Sequence, residues 1–159
     1  MAMIQQEVGT TSSQRDDTMK DQYLTFIIDG EDYGVEIAYV REIIKIQPIT
    51  RVPEMPNFVE GIINLRGDLI GVLDVRKRFN KPSKEHDDDT CIIVIHYSEF
   101  TLGLIVDAVQ ETTTIREDIM APPPNAKLSF ANQFIRNIGR FSDEDVKLLL
   151  DLEKFLDQD

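Results

Sequence analysis

The chain has few kinds of side chain with which to do chemistry: two histidines, one cysteine and 29 carboxylates, against 17 lysines and arginines in 159 residues. A metal centre or a general base would draw on the histidines. His86 adjoins Asp87, Asp88 and Asp89, and His96 lies in the apolar run Cys91–Tyr97. Neither stands at zinc-ligand spacing or beside a nucleophile motif. The acidic run lacks the alternating oxygen ligands and the glycine of a calcium loop, so it reads as a solvated loop. Cys91, inside Cys91-Ile92-Ile93-Val94-Ile95, reads as a packed thiol. A lone cysteine forms no intrachain disulfide, which suits the cytoplasm. Gly61, Gly67 and Gly71 are followed by no Gly-Lys-Ser/Thr and read as turn and packing residues rather than a phosphate cradle. With so many carboxylates, accidental acid pairs are unavoidable. The expectation is a protein that binds rather than catalyses, with no metal and no cofactor.

For binding, the chain offers Arg66, at the end of Ile62-Ile63-Asn64-Leu65, whose guanidinium is a rigid fork of donors. Glu42, polar among Val40, Ile43 and Ile44, is its expected partner if their strands lie side by side. Taken alone, such a pair is a surface ion pair worth ~0–1 kcal/mol. Beside an apolar groove it becomes a recognition feature. Val40, Ile44, Leu65 and Val109 are apolar at comparable places along the chain. Most of that surface is expected in the core, but a seam between two units would be a natural binding groove.

These residues must be held by β-structure. Tyr23–Ile28 is rich in aromatic and β-branched residues, Asp29-Gly30-Glu31-Asp32 makes a turn, and Tyr33-Gly34-Val35 returns. The β-branched content of Val40–Ile46, closely followed by Pro48, favours strand over helix. Two apolar runs flank Arg66-Gly67-Asp68 between Phe58 and Phe79, a hairpin pattern. Pro53 and Pro56 bracket a loop before it, and a second loop runs from Asn80 to Thr90. Another hairpin joins Cys91–Tyr97 to Thr101–Val106, and Val109–Ile115 is a further strand. Ala121-Pro122-Pro123-Pro124-Asn125 is expected as an exposed connection. Phe134–Phe141 and Val146–Leu150 are the last strands, and Leu152–Leu156 is a short terminal helix.

The pattern repeats. Tyr23–Ile43 aligns with Cys91–Thr112, setting Val40-x-Glu42 against Val109-x-Glu111. Phe58–Phe79 aligns with Phe134–Phe155, setting Val72-Leu73-Asp74 against Leu149-Leu150-Asp151. Two similar all-β units of about 60 residues follow, with approximate repeats 23–79 and 91–156. Short strands with glycine and proline turns favour barrels or sandwiches. Residues 1–20 are polar with almost nothing to bury and read as a disordered arm before a 21–159 domain.

A net charge of −12 argues against nucleic acid and against docking on anionic lipid. No apolar run approaches a bilayer span, and the N-terminus lacks a signal-peptide pattern.

Six stations in order resemble the CheW family of chemotaxis adaptors: Asp32-Tyr33-Gly34-Val35-Glu36-Ile37, Val40-Arg41-Glu42-Ile43, Thr50-Arg51-Val52-Pro53, Gly61–Gly67, Val72-Leu73-Asp74-Val75-Arg76 and Gly103–Val109. The resemblance covers Tyr23 to Phe155. It implies an all-β fold of two packed five-stranded SH3-like barrels with short helical turns, and no catalytic activity. It also implies cytoplasmic recruitment to receptor arrays, where the protein bridges methyl-accepting receptor tips and the regulatory domain of the histidine kinase CheA. Val40, Glu42, Gly61, Arg66, Gly103, Val109 and Thr112 match positions that the family uses in receptor or kinase contact or in shaping those surfaces. Leu65 joins them from the apolar seam. Two positions depart from the family's pattern: Thr112 stands where valine is common, and Asn137 where a second glycine is common. Asparagine tolerates left-handed backbone better than most residues. An adaptor domain of the receiver-fusion type is the same-family alternative, disfavoured by a chain ending at Asp159. A small-ligand-binding β-barrel is the alternative from another class, and it lacks a cluster of convergent polar groups.

Overall fold

The computed structural model describes residues 19–123 and 130–157; most of the expected N-terminal arm and part of the proline-rich connection lie outside them. Among the described residues eleven strands form: β1 (Gln22–Ile28), β2 (Glu31–Glu36), β3 (Val40–Lys45), β4 (Val59–Leu65), β5 (Asp68–Asp74), β6 (Cys91–Tyr97), β7 (Phe100–Val106), β8 (Ala108–Thr114), β9 (Met120–Ala121), β10 (Ile135–Arg140) and β11 (Val146–Leu150). Two short helices follow β5 and β11: α1 (Val75–Arg78) and α2 (Leu152–Leu156). The fold is all-β, as expected. One sheet has the order β3-β6-β7-β5-β4, and the other, β8-β1-β2-β11-β10-β9, carries the two-residue β9 as a sixth strand at its edge.

The hairpins sit where apolar runs are broken by turn residues that take positive φ. Asp29 (φ 53°) and Gly30 (φ 80°) turn β1 into β2, and Arg66 (φ 52°) and Gly67 (φ 93°) turn β4 into β5. Ser98 (φ 58°) opens the β6–β7 turn. Both helices begin on an aspartate whose carboxylate accepts backbone N–H bonds: Asp74 from Arg76 and Lys77, and Asp151 from Lys154. The backbone N–H of each aspartate in turn donates to a phenylalanine carbonyl, Asp74 to Phe58 at 2.8 Å and Asp151 to Phe134 at 2.7 Å. The sequence repeat is therefore a structural repeat down to single hydrogen bonds.

The repeats do not each close into a sheet. The β1–β2 hairpin of the first repeat pairs with β8 and β11 of the second, and the β6–β7 hairpin pairs with β3 and β5 of the first. Two of these four pairings are parallel, setting Gly34 opposite Leu149 and Gly103 opposite Val72. Both glycines lie where a Cβ would press on a packed side chain: Leu149 Cδ2 at 3.0 Å for Gly34, and Ile92 Cγ2 at 2.7 Å for Gly103. Asn137, aligned with Gly61, takes the matching bulge without a positive φ.

Strand parity then divides the core. In β6, Ile93 and Ile95 join the large cluster between the sheets, while Ile92 and Val94 join a smaller one with Ile63, Ile70, Val72 and Ile105. A strand buried on both faces has to be apolar throughout, which is why this run shows no alternation. At the centre Phe79 meets Tyr33 at 5.0 Å, Phe155 at 5.7 Å and Phe134 at 5.8 Å between ring centroids.

Candidate functional site

Arg66 occupies the first turn position between β4 and β5, and Asn64 Oδ1 accepts a hydrogen bond from Gly67 N at 2.9 Å, which fixes the turn. Glu42 lies on β3, paired with Val94 of β6. β3 and β4 are opposite edges of a five-stranded sheet, so the Arg66 side chain reaches Glu42 across the open end of that sheet. The two form a hydrogen-bonded ion pair, with side chains 68% and 34% exposed. The pairing anticipated from sequence is present, and it is solvated.

This pair lies in a surface depression of about 480 Å³ that also includes Leu65, Leu69 and Phe100. Leu69 is 69% and Phe100 65% exposed, the largest exposures among the apolar side chains there. Neither was singled out from the sequence. Leu69 shares a face with the buried Leu73 but stands at the hairpin end of β5, past the end of the packed region. Phe100 shares a face with the buried Leu104 and Val106 but stands at the hairpin tip, past the end of the packed region. It also lines a second, more apolar groove of about 400 Å³ with Phe58, Leu73, Tyr97, Leu102 and Leu156.

The remaining expected site residues lie apart from this pair. Val40, at the start of β3, is half-buried against the large core cluster. Val109 and Thr112 lie on β8, at the edge of the other sheet, opposite Phe26 and Leu24. Val109 is half-buried with its backbone against the Cys91 thiol, whose pKa burial pushes up; Thr112 is exposed. Gly61 and Gly103 are not surface groups. A Cβ on Gly61, at φ 148°, would lie 2.0 Å from the Thr50 carbonyl oxygen, and Thr50 and Ile62 exchange backbone hydrogen bonds there. Gly61 thus seats the 46–58 loop against β4, and Gly103 packs β7 on Ile92.

A part-buried cluster of charge joins the start of α1 to the β7–β8 crossover. Arg76, the second residue of α1, directs Nε and Nη2 at Asp107, each at 2.8 Å, and Nη1 at the Pro82 carbonyl at 2.7 Å. Asp29 lies 3.4 Å from Nη2, and its backbone N–H donates to Asp107 at 2.8 Å. Burial raises the Asp107 pKa, but the hydrogen bonds from Arg76 and Asp29 and the Arg76 charge outweigh it and hold the carboxyl below the usual carboxylate range. Among the described residues no group of three or more His, Cys, Asp or Glu is placed to hold a metal ion, and no helix is long and apolar enough to cross a membrane.

Residues 22–159 match the family model described as CheW-like domain. The chain is 32% identical over 155 residues to Chemotaxis protein CheW of Helicobacter pylori, covering 98% of this chain and 93% of that protein. It is 28% identical over 149 residues to Chemotaxis protein CheW of Klebsiella aerogenes, covering 94% and 89%. The crystal structure of scaffolding protein TtCheW from Thermoanaerobacter tengcongensis superposes with a TM-score of 0.74 at 36% identity, over 82% of this chain and 88% of that one.

Proposed function

This chain belongs to the CheW-like family, and from that premise we propose that it is a non-catalytic chemotaxis adaptor, coupling methyl-accepting receptors to the histidine kinase CheA. The working unit is the 21–159 domain. Its partner-facing residues are Val40, Glu42, Leu65, Arg66, Val109 and Thr112, with Gly61 and Gly103 shaping the surfaces that carry them. The receptor tips and the regulatory domain of CheA are the partners, and the protein is cytoplasmic until it joins receptor arrays at the membrane.

The observation that carries the reading is the pairing of an exposed ion pair with exposed Leu69 and Phe100 in one depression. Interfaces draw their energy from a few apolar or arginine anchors that become desolvated on contact, ringed by polar groups. The ion pair adds little while solvated, and its value rises once a partner excludes water.

The test mixes this protein with a cytoplasmic receptor fragment and CheA and measures ternary complex and kinase activation. Arg66→Asp puts a residue that tolerates positive φ at the turn and sets a like charge against Glu42. It should keep the wild-type fold while weakening the complex about tenfold, ~1.4 kcal/mol, with a parallel fall in kinase activation. Unchanged complex and activation in that variant would overturn the assignment.

A further inference from the structure

The chain passes from one sheet to the other at two equivalent places in the repeat, and the two are held differently. After β2 it crosses through a three-residue turn, Ile37–Tyr39, which is held by packing, with Tyr39 set edge-on to Tyr97 at 5.2 Å. After β7 it crosses in one residue, Asp107, between Val106 and Ala108. That residue is clamped from both sheets. Its N–H donates to the Ile27 carbonyl of β1 at 3.1 Å, and its carboxylate accepts the Asp29 N–H at the β1–β2 turn. From the other sheet, Arg76 at the end of β5 grips the same carboxylate, with side chains 12% and 13% exposed. In the repeat, Ala38 stands where Asp107 would be and Glu153 where Arg76 would be, so the crossover after β2 has no such grip.

We propose that Arg76, Asp107 and Asp29 form a clasp that sets the position of β8, with Val109 and Thr112, relative to the Arg66–Glu42 face. Arg76 is then a positioning residue for partner binding: it touches no partner and holds two partner-facing edges, on different sheets, at one spacing. The proposal rests on the adaptor reading for its consequence and on the clasp geometry for its substance. Desolvating an arginine and a carboxylate commonly cancels the gain from pairing them, so a buried pair is poor evidence for stability; fixing register is its best-attested use. The guanidinium suits this role because Nε and Nη2 meet both Asp107 oxygens in a fixed fork while Nη1 reaches the Pro82 carbonyl.

The test separates geometry from stability. Nitroxide labels on the exposed positions Asp68→Cys and Thr112→Cys, in a Cys91→Ala background, report the spacing of the two edges by pulsed electron resonance. Without Arg76 substitution the distance distribution should be single and narrow. Arg76→Gln should broaden or shift it, Arg76→Lys should lie between, and the ternary complex without labels should weaken about tenfold in Arg76→Gln. Val75→Ala, next in the chain and fully buried, serves as a variant that lowers stability without touching the clasp. Should Arg76→Gln fail to fold, Asp107→Asn, which keeps the shape and removes the charge, takes its place. A wild-type distribution in the clasp variants, or equal broadening in Val75→Ala, overturns the proposal. A wild-type protein that forms no ternary complex overturns the adaptor reading instead, and the distance measurement still decides the clasp.

Discussion

Arg66 and Arg76 both face carboxylates, and solvation separates what they contribute. Arg66 is exposed over most of its side chain, so its bond to Glu42 is screened and worth ~0–1 kcal/mol to folding. Loss of Arg66 should therefore appear in partner affinity and not in the unfolding midpoint. Asp107, gripped by Arg76, behaves differently with pH. Its pKa is depressed in the folded protein, so its contribution to stability is present above the unfolded value of about 3.9 and is lost as pH falls through the lower folded value. The charged groups around it are Arg76, Asp29 and, at longer range, Lys84. Comparing wild type with Asp107→Asn by urea unfolding should show the variant less stable near pH 7, with the gap closing as pH drops below about 4. A gap that stays constant with pH would mean that the carboxylate charge contributes nothing.

At the scale of elements, each short helix hangs on one aspartate. Four or five residues are too few for a helix to form by propensity, so the capping bonds decide whether α1 forms at the end of β5. Burial raises the Asp74 pKa despite the N–H bonds from Lys77 and Arg76, so the charge costs stability while the acceptor oxygen supplies it. Asp74→Ala should therefore lower stability by about 1–2 kcal/mol. Asp74→Asn keeps an acceptor and removes the charge, and should stay within about 0.5 kcal/mol of wild type. Equal losses in the two variants, read from thermal midpoints, would show the carboxylate to be needed as a charge. The hairpins were legible in the sequence because Asp29-Gly30, Arg66-Gly67 and Ser98-Glu99 interrupt apolar runs at the positions where the backbone reverses. The ion pair of Glu42 with Arg66 was legible in its partners but not in its setting: strands side by side were the premise, and β3 and β4 are instead opposite edges of one sheet. Helix α1 is not legible in the sequence, since four residues carry no period, although Asp74 matches Asp151 in the repeat. Leu69 and Phe100 are not legible in the sequence because their outward direction depends on where the packed region ends, which no local pattern states.

For the whole molecule, the sequence displayed two repeats but not their interchange. Register within a hairpin is local, whereas the parallel pairings of β2 with β11 and of β5 with β7 join segments of different repeats, the first from opposite ends of the chain, and depend on the packed whole. The consequence is that neither repeat holds a complete sheet. A first-repeat fragment, residues 1–84, would keep the β1–β2 hairpin without β8 or β11, and a second-repeat fragment, residues 85–159, would keep β6–β7 without β3 or β5. The central rings are divided in the same way, Tyr33 and Phe79 against Phe134 and Phe155, and so is the clasp, Asp29 and Arg76 against Asp107. An isolated fragment would bear the entropy cost of ordering its strands with half of the burial that offsets it. Each fragment alone should therefore give the circular dichroism and narrow amide dispersion of an unfolded chain, and an equimolar mixture should fold into a one-to-one complex with a cooperative melt. The repeats match closely enough for one competing outcome: a fragment that folds as a homodimer, supplying its own missing strands from a second copy. That result would mean that Gly34 and Gly103, and the strands packed on them, are interchangeable. The asymmetry of the clasp argues against it, since Ala38 and Glu153 cannot replace Asp107 and Arg76 at the crossover.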